Sequence, residues 1–311
     1  MKSIIIIIPY FGKLPKMFHI WKASALANAT IDFLIITDDE SVTTEKNIKI
    51  LHSSFKECKR QIQSVLGFDI SLDSPYKLCD YRPTYGCVFS SYTKKYDFWG
   101  FGDMDLVYGN IRYFLTDDIL NSYWVISGWG HFTLYKNNNY CNNFFKTRIK
   151  GFQYYKDVFT NSKNCVFDEY LHHGMGDMWK EVHPDKVWDS RLMDDIVVPW
   201  NNFHFVSYHR KKDYLNLIFE YDNGNLYRVF EKYGEVVKEQ TFYAHFQQRK
   251  FMKIKTNNYS HYLIIPNSFI DCSDINILRL RRFGKERPIS HIFYKLKVRL
   301  SRKIVNIKRR F

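Results

Sequence analysis

Residues 4–39 read IIIIIPYFGKLPKMFHIWKASALANATIDFLIITDD. Ile4 to Ile8 is a β-branched run closed by Pro9. A run that is apolar at every position is a strand covered on both faces, the kind found in parallel sheets. Tyr10 to Lys16 reads as a loop, Met17 to Asn28 as a helix, and Ile31 to Thr37 as a second buried strand ending on Asp38 and Asp39. Strand, helix and strand in this order make a βαβ unit, so the chain opens as a Rossmann-like half of an α/β fold.

Working outward, Glu57 to Leu66 reads as a helix, and a further helix is expected near Thr84 to Phe89, after Pro83. Tyr96 to Phe101 (YDFWGF) is an apolar run leading into Gly102-Asp103-Met104-Asp105. That puts two acids at the C-terminal end of a strand, where open α/β sheets bind their ligands. Trp124 to Ser127 and Phe132 to Tyr135 read as short strands around Gly128 and Gly130. A helical pattern follows over Phe144 to Phe159, and Asp168 to His173 lies near the start of a short helix. Leu217 to Tyr221 and Leu226 to Phe230 flank Asn223-Gly224, which supplies the positive φ angles of a tight hairpin turn. Val236 to Ala244 is the expected third strand.

With 311 residues and 45% hydrophobic content the chain can bury a sizeable core. The charge is unevenly placed: residues 279–311 hold 13 Lys or Arg and one acid, Glu286, so this segment carries +12 of the total of +14. The remaining body is near neutral, and whatever needs positive charge needs it at the C-terminus. From Pro288 onward, Ile289, Ile292, Phe293, Leu296, Leu300, Ile304 and Ile307 follow helical spacing, interleaved with Lys295, Lys297, Arg299, Arg302, Lys303 and Lys308. A cationic amphipathic helix of this kind lies in the interface of an anionic membrane. Two alternatives compete: the helix docks its apolar face on the body, or it binds nucleic acid, though the body carries no recognisable nucleic-acid module. The division expected is a body over residues 1–270 and a tail over 271–311. No stretch of about 20 apolar residues offers a membrane span. The six cysteines show no metal-site spacing, which fits a reduced setting. The expected location is cytoplasmic, peripheral on the inner face of the plasma membrane.

Asp103-Met104-Asp105 is the only Asp-x-Asp in the chain. Two carboxylates two apart on an extended segment point the same way and can share one hard cation with a diphosphate. Alone, such a pair is weak evidence, because short acidic pairs at strand ends are usually solvated loop residues. Four stretches accompany it: PYFGKLP (9–15), ITDD (36–39), PYKLCDYRPTYG (75–86) and DFWGFGDMDLVYGNI (97–111). Together they resemble GT-A glycosyltransferases of bacterial capsule and lipopolysaccharide assembly. Short motifs later in the chain look like the retaining galactosyl- and glucosyltransferases of the glycogenin type.

The resemblance implies a GT-A fold, a Rossmann-like mixed sheet with flanking helices. It implies a hexosyltransferase that uses Mn²⁺ or Mg²⁺ and a nucleotide-sugar, a UDP-sugar first, to extend a lipid-linked bacterial polysaccharide. Asp103, Asp105 and His245 would hold the metal, with Asp103 also on the donor ribose. Lys250 would meet the diphosphate, although the glycine and Lys-Pro-Trp run of the family pattern is missing beside it. Pro9, Tyr10, Phe11 and Asp38 would hold the nucleobase. Lys77, Asp80 and Arg82 would line the donor sugar and phosphates, with a spacing one residue off the family's; a cation and an acid three apart are otherwise a surface pair. Gly128 and His131, in the Gly128-Trp129-Gly130-His131 turn, would lie on the acceptor side. Asp168 and Glu169 resemble the catalytic pair that touches donor and acceptor hydroxyls, while Asp168 as a plain helix cap is the competing reading.

Breaking a sugar–diphosphate bond develops charge on the leaving phosphate and on the sugar, which is why a metal, a lysine and a carboxylate are the groups required. Retention, with the departing phosphate oxygen deprotonating the acceptor, is the expected outcome; Asp168 acting as general base would give inversion. Two other readings stay open: a nucleotide-sugar-binding protein of the same fold without catalysis, and a basic nucleic-acid-binding protein marked by steep salt dependence.

Overall fold

The computed structural model describes residues 1–189, 193–198, 200–206, 214–247, 252–285 and 292–300. They form two compact units: Met1–Lys16, Asn28–Met104 and Arg112–Ser190 in one; Met17–Ala27, Asp105–Ile111 and Arg191–Phe311 in the other.

The first unit is built on a seven-stranded sheet. Its strands are β1 (Ile4–Pro9), β2 (Ile31–Thr37), β3 (Ile48–His52) and β4 (Phe98–Gly102). The chain then passes through β5 (Leu106–Tyr108), which belongs to the second unit, and returns as β6 (Val125–Trp129), β7 (Phe132–Lys136) and β8 (Val187–Trp188). The order is β3-β2-β1-β4-β7-β6-β8. β1, β2, β3 and β4 run parallel, whereas β7 is antiparallel to both β4 and β6. Ile4 to Ile8 are each at most 3% exposed, as a strand covered on both faces requires. The helix Phe55–Leu66 starts on a capping box in which Ser54 and Glu57 satisfy each other's backbone N–H groups. This mixed sheet with flanking helices is the α/β class expected from the sequence.

The second unit holds two sheets. β13 (Tyr243–His245) lies between β5 and β9 (Asp194–Asp195). The larger sheet runs β12-β11-β10-β15-β16-β14, from β10 (Leu215–Asp222), β11 (Asn225–Lys232), β12 (Glu235–Thr241), β14 (Lys253–Ile254), β15 (His261–Ile265) and β16 (Ser268–Asp271). The β10–β11 hairpin turns on Asn223 and Gly224, both at positive φ, as Asn-Gly predicts. Phe203, Phe219, Tyr262 and Phe269 lead its core, and the helix Ile277–Gly284 packs on a second patch around Ile218 and Val229. The helix Phe18–Ala27 belongs to this unit, where the backbone N–H of Tyr108 donates to Ser24 Oγ.

Two local expectations are corrected. Phe144 to Phe159 is not one helix but a short turn at Phe144–Lys146 and a helix at Tyr155–Thr160. Its aromatics serve different partners rather than one helical face: Phe144 stacks on Trp179 at 3.8 Å and Phe145 meets Tyr155 edge-on. Asp168 to His173 lies just ahead of a short helix, as expected; that helix starts at Met175 with Gly174 at its cap, so Asp168 does not cap it. Val236 to Ala244 breaks at Phe242 into β12 and β13, which join different sheets.

Among the described residues, no helix is long and apolar enough to cross a membrane. Residues 292–300 are helical. Ile292, Phe293, Leu296 and Leu300 are exposed, and the side chains that bury are Tyr294 and Val298. The remainder of the predicted amphipathic stretch, including Ile289, Arg302, Lys303, Ile304, Ile307 and Lys308, lies outside the described residues.

Candidate functional site

In the first unit the loop after β4 begins at Asp103, whose backbone N–H donates to the carbonyl of His131 at 3.1 Å. Arg82 reaches it from the Pro75–Thr93 run of short helical turns. One arm of the guanidinium donates to Asp103 Oδ1; the other donates to Asp168 Oδ2 at 2.8 Å and to the carbonyl of Gly130. Phe101 lies under the guanidinium at 5.4 Å. Burial works against the charge on Arg82, but Asp103 and Asp168 outweigh it and hold its pKa well above the ordinary value. Asp168 is 2% exposed, and burial raises its carboxyl to about 6, against the pull of Arg82 and with Asp80 and Asp103 adding to the rise.

The loop carrying Asp168 is held from beneath. Lys77 and Asp80 are buried, not the surface pair their spacing also allows. Lys77 Nζ donates to Asp80 at 2.8 Å, to the carbonyl of Lys163 at 2.7 Å and to that of Val158 at 3.3 Å. Asp80 in turn accepts the backbone N–H groups of Cys165 and Phe167. Val166 sits between them at φ 57°, an uncommon conformation for a β-branched residue. The pair therefore fixes a strained loop, and that loop delivers Asp168 and Glu169. On the facing strand, Gly128 sits at φ 79° in the β6–β7 irregularity. A Cβ on Gly130 would stand 2.6 Å from Glu169 Oε1 and 2.8 Å from Asp168 Oδ2, so a side chain there would displace the carboxylates from these positions. His131 is buried and lies parallel to Trp129 with ring centroids 6.4 Å apart.

The expected nucleobase residues end β1 and β2. Tyr10 N–H donates to the carbonyl of Ile36, Phe11 packs edge-on against Phe55 at 5.5 Å, and Asp38 accepts the N–H of Gly12 at 2.7 Å. Pro9 is the last residue of β1 and is half-buried.

The second unit holds a different cluster. Asp105 directly precedes β5, and His245 ends β13, its antiparallel neighbour. His245 Nε2 stands 3.4 Å from Asp105 Oδ1, while Nδ1 makes a 2.9 Å hydrogen bond to Asp195 Oδ1, which also accepts from Gln247. All three are at least nine-tenths buried. Burial disfavours the imidazolium, yet Asp105 and Asp195 together lift His245 well above its ordinary pKa. Asp195 fixes the ring so that Nε2 faces Asp105, the arrangement that orients metal-ligating histidines. A carboxylate oxygen and an imidazole nitrogen presented this way could hold a metal ion.

Sequence reading missed Asp195 and its neighbour Asp194, which is fully buried and paired with Arg228 Nε at 2.7 Å. The signal was Asp194-Asp195 at the head of Ile196-Val197-Val198. Nothing in it separates a buried acidic pair from a solvated one. Lys250 lies outside the described residues.

Mouse xyloside xylosyltransferase 1, solved in its apo form, is similar over 63% of this chain and 88% of that one, at 10% identity and a TM-score of 0.33. No curated protein matches. The model of DUF6625, a family of unknown function, matches residues 6–273, and the chain belongs to that family.

Proposed function

We propose that the chain is a metal-dependent glycosyltransferase of the GT-A type, transferring a sugar from a nucleotide-sugar, a UDP-sugar first, to a lipid-linked bacterial polysaccharide with retention. The observation that carries this reading is the Asp105–His245–Asp195 cluster, a buried ligand pair with its orienting carboxylate. The chain sets Asp105 two positions after Asp103. Supporting it, Arg82, Asp103, Asp168 and Gly130 form a second, partly buried polar cluster in the unit that carries the parallel strands.

In this reading Asp103, Asp105 and His245 hold Mn²⁺ or Mg²⁺, which when bound supplies charge neutralisation at the departing diphosphate. Asp195 keeps His245 in one ring orientation, and the ring gives up its proton as the cation enters. Arg82 spreads Asp103 and Asp168 to fixed positions. Asp168 and Glu169 meet the hydroxyls of donor and acceptor, Gly128 and His131 bound the acceptor side, and Lys77 with Asp80 sets the loop that presents Asp168. Pro9, Tyr10, Phe11 and Asp38 receive the nucleobase, and Lys250 the diphosphate. Residues 1–270 carry this chemistry. Residues 271–311 bring it to an anionic membrane on the inner face, where Ile292, Phe293, Leu296 and Leu300 are the exposed apolar contacts and Lys295, Lys297 and Arg299 the cations.

The test is release of free nucleotide from a panel of UDP-, GDP- and CDP-sugars, with Mn²⁺ and with EDTA, for wild type and Asp105→Ala. Hydrolysis of one donor that needs both the metal and Asp105 is the expected result. No metal-dependent turnover or binding of any donor overturns the reading. For the tail, co-sedimentation with phosphatidylglycerol vesicles but not with neutral ones is expected, and Leu296→Glu abolishes it.

A further inference from the structure

Away from the clusters above, the large sheet of the second unit carries three donors of a different chemical kind. Glu220 lies in β10, His261 opens β15, and Cys272 follows the last residue of β16. The strand register brings them together: Asp222 pairs with His261, Glu220 with Leu263, and Tyr262 with Asp271. Glu220 and His261 therefore stand on one face two positions out of step, and Cys272 falls beside His261 at the end of the next strand. The carboxylate, imidazole and thiol donor atoms all lie within 4.8 Å of one another. Glu220 Oε1 and His261 Nε2 are 3.6 Å apart, close to the edge of a tetrahedral site with ~2.0–2.2 Å bonds. The three line a cavity of about 630 Å³ together with Lys238, Asn258 and Asp271.

We infer that Glu220, His261 and Cys272 form a zinc site that ties β10, β15 and the end of β16 together and leaves one coordination position open to the cavity. The thiolate sets this ligand set apart: sulfur with imidazole and carboxylate suits Zn²⁺, whereas the harder Mg²⁺ and Mn²⁺ disfavour a sulfur ligand. The site is thus separate in position and in metal preference from the Asp105–His245 pair, and it does not rest on the glycosyltransferase reading. Burial and the charge of Glu220 keep the Cys272 thiol above its ordinary pKa in the metal-free protein, so binding releases its proton. Lys238 competes: its ammonium is 2.8 Å from Glu220 Oε1. It also lies 4.2 Å from the centre of the Tyr227 ring, which can keep the ammonium when a cation takes the carboxylate.

The experiment is a Co²⁺ titration of the chelator-stripped full chain, followed by the near-ultraviolet thiolate-to-cobalt absorption and then displaced by Zn²⁺. The expected result is a thiolate band that Zn²⁺ abolishes, that Cys272→Ser lacks, and that Asp105→Asn retains. His261→Ala weakens binding by more than about tenfold, the loss that even an outer partner of a metal ligand produces. Lys238→Gln tightens it. Because Cys272→Ser could act through folding, the second readout uses wild type alone: Zn²⁺ slows alkylation of Cys272, located by mass spectrometry. A missing thiolate band, a band that survives Cys272→Ser, or alkylation of Cys272 indifferent to Zn²⁺ overturns the site.

Discussion

The Arg82 cluster and the His245 cluster solve opposite problems with the same side chains. Both set carboxylates around a cation: half-buried Asp103 and buried Asp168 around Arg82 in the first unit, buried Asp105 and Asp195 around His245 in the second. Arg82 cannot surrender its charge, so its carboxylates are positioned permanently. His245 can give up its proton, and one of its nitrogens is already committed to Asp195. Arg82 keeps its charge throughout, whereas in the proposed reading His245 exchanges its proton for a metal.

The largest effect that separates them should come from Arg82→Ala. It leaves Asp168 buried without its partner and is expected to cost about 3–5 kcal/mol of stability, the penalty for breaking a buried pair. Denaturant unfolding monitored by tryptophan fluorescence measures it. A loss below about 1 kcal/mol, the scale of a surface pair, would mean the cluster is solvated and the contrast with His245 is lost.

Asp195→Asn should be milder and of a different kind. The amide keeps the size of the side chain and can still meet Nδ1, but it no longer draws on the imidazolium or enforces the tautomer that presents Nε2. Metal affinity, read by titration of Mn²⁺-dependent nucleotide release, is expected to fall about 10- to 100-fold, with the unfolding midpoint of the metal-free protein little changed. If Asp195→Asn destabilises the protein as much as Arg82→Ala and leaves the Mn²⁺ requirement unaltered, then both clusters are structural.

What could be read from the sequence followed what was contiguous in it. Ile4 to Ile8 and Asn223-Gly224 declare their structure within a few residues, because burial on both faces and a positive-φ turn are local requirements. Asp103 and Asp105 were legible as a pair for the same reason. Their partners were not: Asp195 meets His245 across 50 positions, and Arg82 meets Asp168 across 86. Lys77 and Asp80 show the converse, since their spacing was visible but their complete burial under the 163–167 loop was not. The helix over residues 292–300 shows it again: Tyr294 and Val298, which stand outside the apolar stripe drawn from spacing, are the side chains that bury.

The smallest effect, and the one that sharpens the comparison most, is the pH dependence of Asp168. Burial holds its carboxyl at about 6 in the folded chain, above the ordinary 3.8, despite Arg82. Between those values the folded state keeps a proton that the unfolded state has released, so stability falls as pH rises from about 4 through 6. Below that window the contribution of Asp168 is fully present; above it, the cost of burying the carboxylate is fully expressed. Other carboxylates move the opposite way, Asp97 among them, whose pKa is lowered by the Ser3 backbone N–H. The quantity to measure is therefore the difference between wild type and Asp168→Asn in unfolding free energy, followed across this range. That difference should shift against wild type as pH rises. If it shifts in favour of wild type, the pull of Arg82 dominates burial and Asp168 is an anion throughout, held by Arg82 as firmly as Asp103 is. The first cluster would then be a permanent ion triad, and of the two only the His245 cluster would hold a proton that an entering cation can displace.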